Sequence, residues 1–277
     1  MQPASAQKQG FAPLWSLGVA FAFLTRLGFL SGRIVGGGDK PGRTIAKGDL
    51  ARAGWAFPFV GLVVGTVGGG VCAGALALAL PPLLAAILGV AAMVLLTGAL
   101  HEDGLADVAD GFGGAFEREA KLKIMRDSRI GTFGVVALFL VLAGRLAAIA
   151  AIEAPLAAGL GIVAAAVLSR ATMVWLMAFM PPARESGLGA EAGRPGALTA
   201  GIAAVITVAL AVAALGPLGG AIGCVAAAVV AALFAGLAMR QIGGSTGDVL
   251  GAAQQLTEVA VLVAAAVTFD RLGGFWG

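Results

Sequence analysis

Apolar residues run along this chain in long blocks, at roughly 14–31, 54–80, 83–100, 133–152, 156–180, 198–215, 218–238 and 255–269, with polar residues between them. Most blocks approach or exceed the roughly 20 residues that a helix needs to cross hydrocarbon. No backbone group goes unpaired in lipid, so such runs are helices, and the alternation that marks a membrane barrel is absent. The pattern predicts an all-α, polytopic membrane helical bundle of about seven or eight helices. Residues 1–277 read as a single integral membrane catalytic domain. Arg26 interrupts the first block, which either spans or dips partway in, so the orientation of the N-terminus stays open. No cleavable signal peptide is expected, because the residues before Leu14 are polar and carry only Lys8 as a charge.

Four polar connections alternate with tight, almost uncharged turns. The first, 31–52, holds Arg33, Lys40, Arg43, Lys47 and Arg52 against Asp39 and Asp49. The second, 101–132, is the longest and most charged, the third carries Arg184, Glu185, Glu191 and Arg194, and the fourth, 240–255, is rich in glycine. The turns are Pro81-Pro82, Glu153-Ala154-Pro155 and Gly216-Pro217. The bias of Lys and Arg puts all four polar loops on one face, expected to be the cytoplasmic face of a cell (inner) membrane.

Composition agrees. The chain is 59% hydrophobic and 12% charged, half the roughly 25% that a water-facing domain carries. Its net charge of +3 is scattered through short loops and forms no stripe, which excludes nucleic acid as a partner and leaves the lipid bilayer. Cys72 and Cys224 lie in apolar runs without metal spacing and read as small packing residues. Among the 44 glycines, Gly61, Gly65 and Gly69 recur every fourth residue, as do Gly70 and Gly74, a spacing that lets helices approach closely.

The chemistry concentrates in Leu100-His101-Glu102-Asp103-Gly104-Leu105-Ala106-Asp107-Val108-Ala109-Asp110-Gly111. On a continuing helix Asp103, Asp107 and Asp110 share one face. Three like charges at the membrane boundary need a positive partner, and a hard divalent cation with oxygen ligands is the natural one. His101 lies about 160 to 200° around the helix from that face, so it suits a phosphate contact or proton transfer better than metal ligation. Farther on, Arg126-Asp127-Ser128-Arg129 sets paired charges around a hydroxyl, as a ligand with several phosphates requires. Gly243-Gly244-Ser245-Thr246-Gly247-Asp248 adds a loop whose amides can bind an anion, with an acid embedded, on the same face. Arg145, Arg170 and Glu258 lie inside apolar spans, where pairing within the bundle competes with function.

Taken together these residues resemble the cobalamin synthase family, the adenosylcobinamide-GDP ribazoletransferases. The likeness runs in order through Phe23-Leu24-Thr25-Arg26, Gly98-Ala99-Leu100-His101, Asp103 to Asp107, Asp110-Gly111 and Met125-Arg126-Asp127-Ser128-Arg129-Ile130-Gly131-Thr132-Phe133-Gly134. It continues with Leu168-Ser169-Arg170, Gly187-Leu188-Gly189, Gly247-Asp248-Val249-Leu250-Gly251-Ala252 and Leu256-Thr257-Glu258. Glu102 departs from the pattern, since an apolar residue usually separates the His from the Asp. The resemblance implies a Mg²⁺-dependent membrane transferase whose partners are adenosylcobinamide-GDP and α-ribazole or its 5′-phosphate. The ribose 5′-hydroxyl would attack the pyrophosphate and GMP would leave. Under that reading Asp103, Asp107, Asp110, Asp248 and Glu102 are the metal candidates. Asp110 and His101 are the catalytic candidates, and Arg126, Arg129, Ser128 and Arg26 bind substrate phosphate. The sequence leaves a homo-oligomer open. Two other readings are a CDP-alcohol-type phosphotransferase acting on a lipid, matched only in the Asp103-Gly104-x-x-Asp107 core, and a secondary transporter, which would set its charges near mid-membrane.

Overall fold

The computed structural model describes residues 13–27, 46–185 and 187–271. Along the chain run α1 (Pro13–Leu24), α2 (Asp49–Ala53) with a 3₁₀ turn at Gly54–Ala56, α3 (Phe57–Ala77), α4 (Pro82–Thr97), α5 (Leu100–Gly114), α6 (Arg118–Ile124), α7 (Thr132–Ala150), α8 (Pro155–Phe179), α9 (Leu188–Ala192), α10 (Ala197–Ile242) and α11 (Gly247–Arg271). An isolated bridge between Pro182 and Ser245 is the one piece of β pairing among the described residues. The all-α membrane class expected from the sequence is what the chain forms.

The number of spans differs from expectation. Five helical stretches are long and apolar enough to cross a membrane, or six if α4 and α5 count as one bent span. The expected seven or eight was slightly high. The first apolar block forms a helix of only 12 residues. The blocks at 198–215 and 218–238 form the two arms of α10, a 46-residue stretch that counts once among the five and is broken where Gly216 adopts φ 74° ahead of Pro217. A Cβ on Gly220 would fall 2.9 Å from Cα of Val212, eight residues earlier. A straight helix would separate those residues by about 12 Å, so the two arms of α10 fold back on each other. Arg33, Asp39, Lys40 and Arg43 of the first polar connection lie outside the described residues.

At the centre stands α8, most of whose residues are buried inside the protein. It meets α3 along the predicted glycine repeat: Cβ atoms on Gly61, Gly65 and Gly69 would fall 2.4, 2.7 and 2.5 Å from backbone atoms of α8. Backbones this close give the dispersion contact that holds helices together in lipid. Gly70 and Gly74 do not share this role, since each faces open space within 4 Å.

Between α4 and α5 the direction changes by 89°. The bend consists of two left-handed residues, Gly98 at φ 68° and Ala99 at φ 59°. Only glycine fits at 98, because a Cβ there would lie 2.1 Å from Nε of Arg26. The acidic stretch is therefore helical as expected, but as a separate helix set across the end of the bundle.

All four polar connections meet at that end. Gly48 N–H donates to the Glu191 carbonyl at 2.9 Å, and Arg118 donates to the carbonyls of Ile242 and Ala183 at 2.8 and 2.5 Å. Ala183 N–H donates to the Ser245 carbonyl at 2.8 Å, and Arg184 reaches the Leu122 carbonyl at 3.3 Å. The common face read from the charge pattern is thus a built surface, joined loop to loop by hydrogen bonds.

Candidate active site

The site forms where α5 crosses the start of α11. A Cβ on Gly104 would lie 2.9 Å from the Asp248 carbonyl oxygen and 3.0 Å from its Cα. One turn away, a Cβ on Gly251 would lie 3.3 Å from Cα of His101. These two glycines let the helix backbones touch, and the touching brings Asp103 and Asp107 of α5 to Asp248 of α11. Asp107 lies within electrostatic reach of Asp103, Asp248 and Asp110, with Arg184 opposing them. Asp103 is exposed, whereas Asp107 and Asp248 are half-buried. Thr246 fixes the start of α11: its hydroxyl accepts from Val249 N–H at 3.2 Å, as an N-cap does, and bonds the Asp248 carboxylate at 3.1 Å. Arg184 approaches the same carboxylate at 3.8 Å. Burial lowers the pKa of Arg184, and the charges of Asp248 and Asp107 pull it back up.

Two neighbouring cavities open beside this cluster and share Arg126 and Arg184. One, of about 290 Å³, is lined by Arg126, Arg184, Gly187, Gly189, Thr246 and Asp248 among others. The other, of about 540 Å³, is lined by Arg118, Lys123, Arg126, Arg184, Glu119 and Glu185 among others. Carboxylates on one side and guanidinium groups on the other suit a polyanion held partly by cations of the protein and partly by a bound divalent ion. Among the described residues no three His, Cys, Asp or Glu side chains are arranged to hold a metal ion unaided.

The remaining candidates stand elsewhere. Asp110 spends both oxygens on the start of α7, accepting Gly131 N–H at 2.6 Å and Gly134 N–H at 2.8 Å. Glu102 points into the bundle, where its Oε1 accepts from Arg145 at 3.1 Å and Gln255 at 3.0 Å. His101 is buried with no hydrogen-bond partner for Nε2, on the far side of α5 from the acids, as the helical spacing implied. Ser128 and Arg129 are exposed, and Arg129 makes a two-pronged pair with Asp127 at 3.0 and 2.6 Å. That guanidinium holds the Asp127 pKa at about 2. Arg26 sits against the Gly98 bend. Of the phosphate candidates, Arg126 alone lines the cavities.

Arg184 is the site residue that sequence reasoning passed over. It looked like one more loop cation, and only its closeness to Asp248 across 64 residues of chain distinguishes it. Its place on the same charged face as the acidic stretch was the available signal.

A family described as Cobalamin-5-phosphate synthase matches residues 16–266. Relatives bearing the name adenosylcobinamide-GDP ribazoletransferase are similar over most of both chains. One from Bradyrhizobium diazoefficiens is 46% identical over 230 residues, covering 83% of this chain and 87% of its own. One from a Sinorhizobium species is 49% identical over 229 residues, 80% of this chain and 87% of its own. One from Azorhizobium caulinodans is 47% identical over 225 residues, 79% and 85%. No solved structure matches.

Proposed function

This chain belongs to the cobalamin-5-phosphate synthase family of transferases, and from that premise we propose that it joins adenosylcobinamide-GDP to α-ribazole, or to its 5′-phosphate, with release of GMP. The observation that carries the reading is the glycine contact between α5 and α11, which brings Asp103 and Asp107 to Asp248, itself on the wall of a cavity edged by Arg126 and Arg184.

The reaction asks three things of the protein. It must hold a diphosphate, orient a hydroxyl oxygen in line with one phosphorus, and take up the hydroxyl proton. Arg126 and Arg184 stand where the negative charge of the diphosphate would sit, and a guanidinium grips phosphate through two donors. One or two of Asp103, Asp107 and Asp248 would hold Mg²⁺, which when bound would offset charge on the phosphoryl oxygens. The new bond joins a free ribose hydroxyl oxygen to the phosphorus that carries the cobinamide ester; this cannot be the 5′-oxygen expected from the resemblance when the acceptor is the 5′-phosphate, whose 5′-oxygen is already esterified. The bond from that phosphorus to the oxygen of GMP breaks, GMP leaves with the bond electrons, and a carboxylate of the cluster accepts the hydroxyl proton. Because the site is built from three of the four charged loops, it faces the cytoplasm by the positive-inside rule. The protein then sits in the cell (inner) membrane with both substrates arriving from inside.

The test is GMP release by protein held in liposomes, given adenosylcobinamide-GDP, α-ribazole or its 5′-phosphate, and Mg²⁺. Release that depends on the ribazole acceptor and stops on chelation supports the reading. Release of CMP from a CDP-alcohol, with adenosylcobinamide-GDP untouched, would replace it with the lipid-phosphate alternative.

A further inference from the structure

Behind the acids, inside the helical bundle, lies a buried polar network that the reaction above does not use. Arg145 of α7, 1% exposed, is its hub. It donates to Glu102 of α5 at 3.1 Å, to the Gln255 side-chain oxygen of α11 at 3.1 Å and to Glu258 of α11 at 2.5 Å. Gln255 in turn donates to Glu102 at 3.0 Å, and Gln254 donates to Ser169 of α8 at 2.9 Å and to Glu258. Arg170 lies within electrostatic reach of Glu258 and Glu102, so two buried cations answer two buried carboxylates.

We infer that Arg145 is a positioning residue: through Glu102 and Gln255 it fixes the register of α5 against α11, and so the separation of Asp103 and Asp107 from Asp248. Glu102 adjoins Asp103 in sequence. Gln255 lies seven residues from Asp248, about two helical turns and on nearly the same side of α11. The glycine contacts at Gly104 and Gly251 allow the helices to touch, but smooth surfaces also let them slide. Directional bonds from one guanidinium to both helices remove that freedom. A buried ion pair adds little stability over apolar groups of equal volume, and setting register is its best-attested use. The inference rests on the proposed metal role of the three acids.

The experiment uses full-length protein in detergent and compares wild type with the charge-balanced variant Arg145→Met/Glu102→Gln, which removes one charge of each sign and leaves Arg170 to face Glu258. Mn²⁺ affinity is read by electron paramagnetic resonance, beside thermal unfolding and the kcat and KM of GMP release. The expected result is unfolding close to wild type, Mn²⁺ affinity weakened by about ten- to a hundredfold, and a fall in kcat that exceeds any change in KM. If the double variant does not fold, Gln255→Met removes the neutral link between the helices and leaves the Arg145–Glu102 and Arg145–Glu258 pairs in place, and its Mn²⁺ affinity should fall in the same direction by about tenfold. A variant that folds, binds Mn²⁺ as wild type does and turns over normally would overturn the inference. Wild-type protein that binds no Mn²⁺ and releases no GMP would instead count against the proposed function itself.

Discussion

The approach of α5 to α11 can be tested with one methyl group. In Gly104→Ala the new Cβ would stand 2.9 Å from the Asp248 carbonyl oxygen, 3.0 Å from its Cα and 3.4 Å from its carbonyl carbon. All three neighbours are backbone, so no rotamer can yield. Restoring ordinary contact requires the helices to part by about 0.5 to 1 Å, and overpacking of this kind costs about 1–3 kcal/mol. That opening falls between the helix that bears Asp103 and Asp107 and the residue Asp248 itself. A misplacement near 1 Å in a site that holds reactants in line can cost about a hundredfold in rate. Gly70→Ala and Gly74→Ala are the internal standard, because each methyl enters open space. Each should leave activity alone and, by helix propensity, stabilise the helix by up to about 1 kcal/mol. The assay is GMP release at saturating Mg²⁺ and substrates, with thermal unfolding in the same detergent. Gly104→Ala should lose most of its kcat while still folding. Full turnover in Gly104→Ala would show that the acids need not be held at this spacing, and the reasoning would fail.

Other expectations follow from the same geometry. Arg184→Ala and Arg126→Ala should each raise the KM for adenosylcobinamide-GDP about tenfold or more, as loss of a charge-assisted phosphate contact does; steady-state kinetics will check it. Asp110→Ala should destabilise the start of α7, because it orphans the Gly131 and Gly134 amides. The loss should be about 1–3 kcal/mol, read by chemical or thermal unfolding. With its pKa at about 2, Asp127 keeps the stabilising effect of its Arg129 pair above the ordinary carboxylate range and loses it only as pH falls toward that value. Asp127→Asn should therefore leave the shape of the pH–rate profile between about pH 5 and 9 unchanged.

Much of this was legible in the residues. Hydrophobic blocks gave the class, the glycine repeat Gly61, Gly65 and Gly69 gave the α3–α8 seam, and the alternation of charged loops with bare turns gave the common face. Helical spacing also placed His101 on the side of α5 away from the acids. What stayed hidden depends on the third dimension. Asp103, Asp107 and Asp110 share a helical face, yet that spacing does not reveal that the α7 amides claim Asp110. Glu102 was grouped with the acids by adjacency, although a rotation of about 100° per residue turns it toward Arg145. Arg184 carries no local motif, and only the meeting of the third and fourth loops brings it to Asp248. The bend at Gly98 and Ala99 was unreadable because alanine seldom adopts a left-handed conformation.

The most direct measurement compares GMP release, at fixed Mg²⁺, for Asp103→Asn, Asp107→Asn, Asp248→Asn and Asp110→Asn. The first three substitutions should each lower kcat by about a hundredfold or more with the fold intact, as removal of a charge that organises the transition state does. Asp110→Asn should act mainly on stability and lose less than about tenfold in kcat, since an amide keeps one of its two acceptors. If Asp248→Asn turned over normally while a folded Asp110→Asn were inactive, the α5–α11 acids would not be the site, and the proposed chemistry would be contradicted.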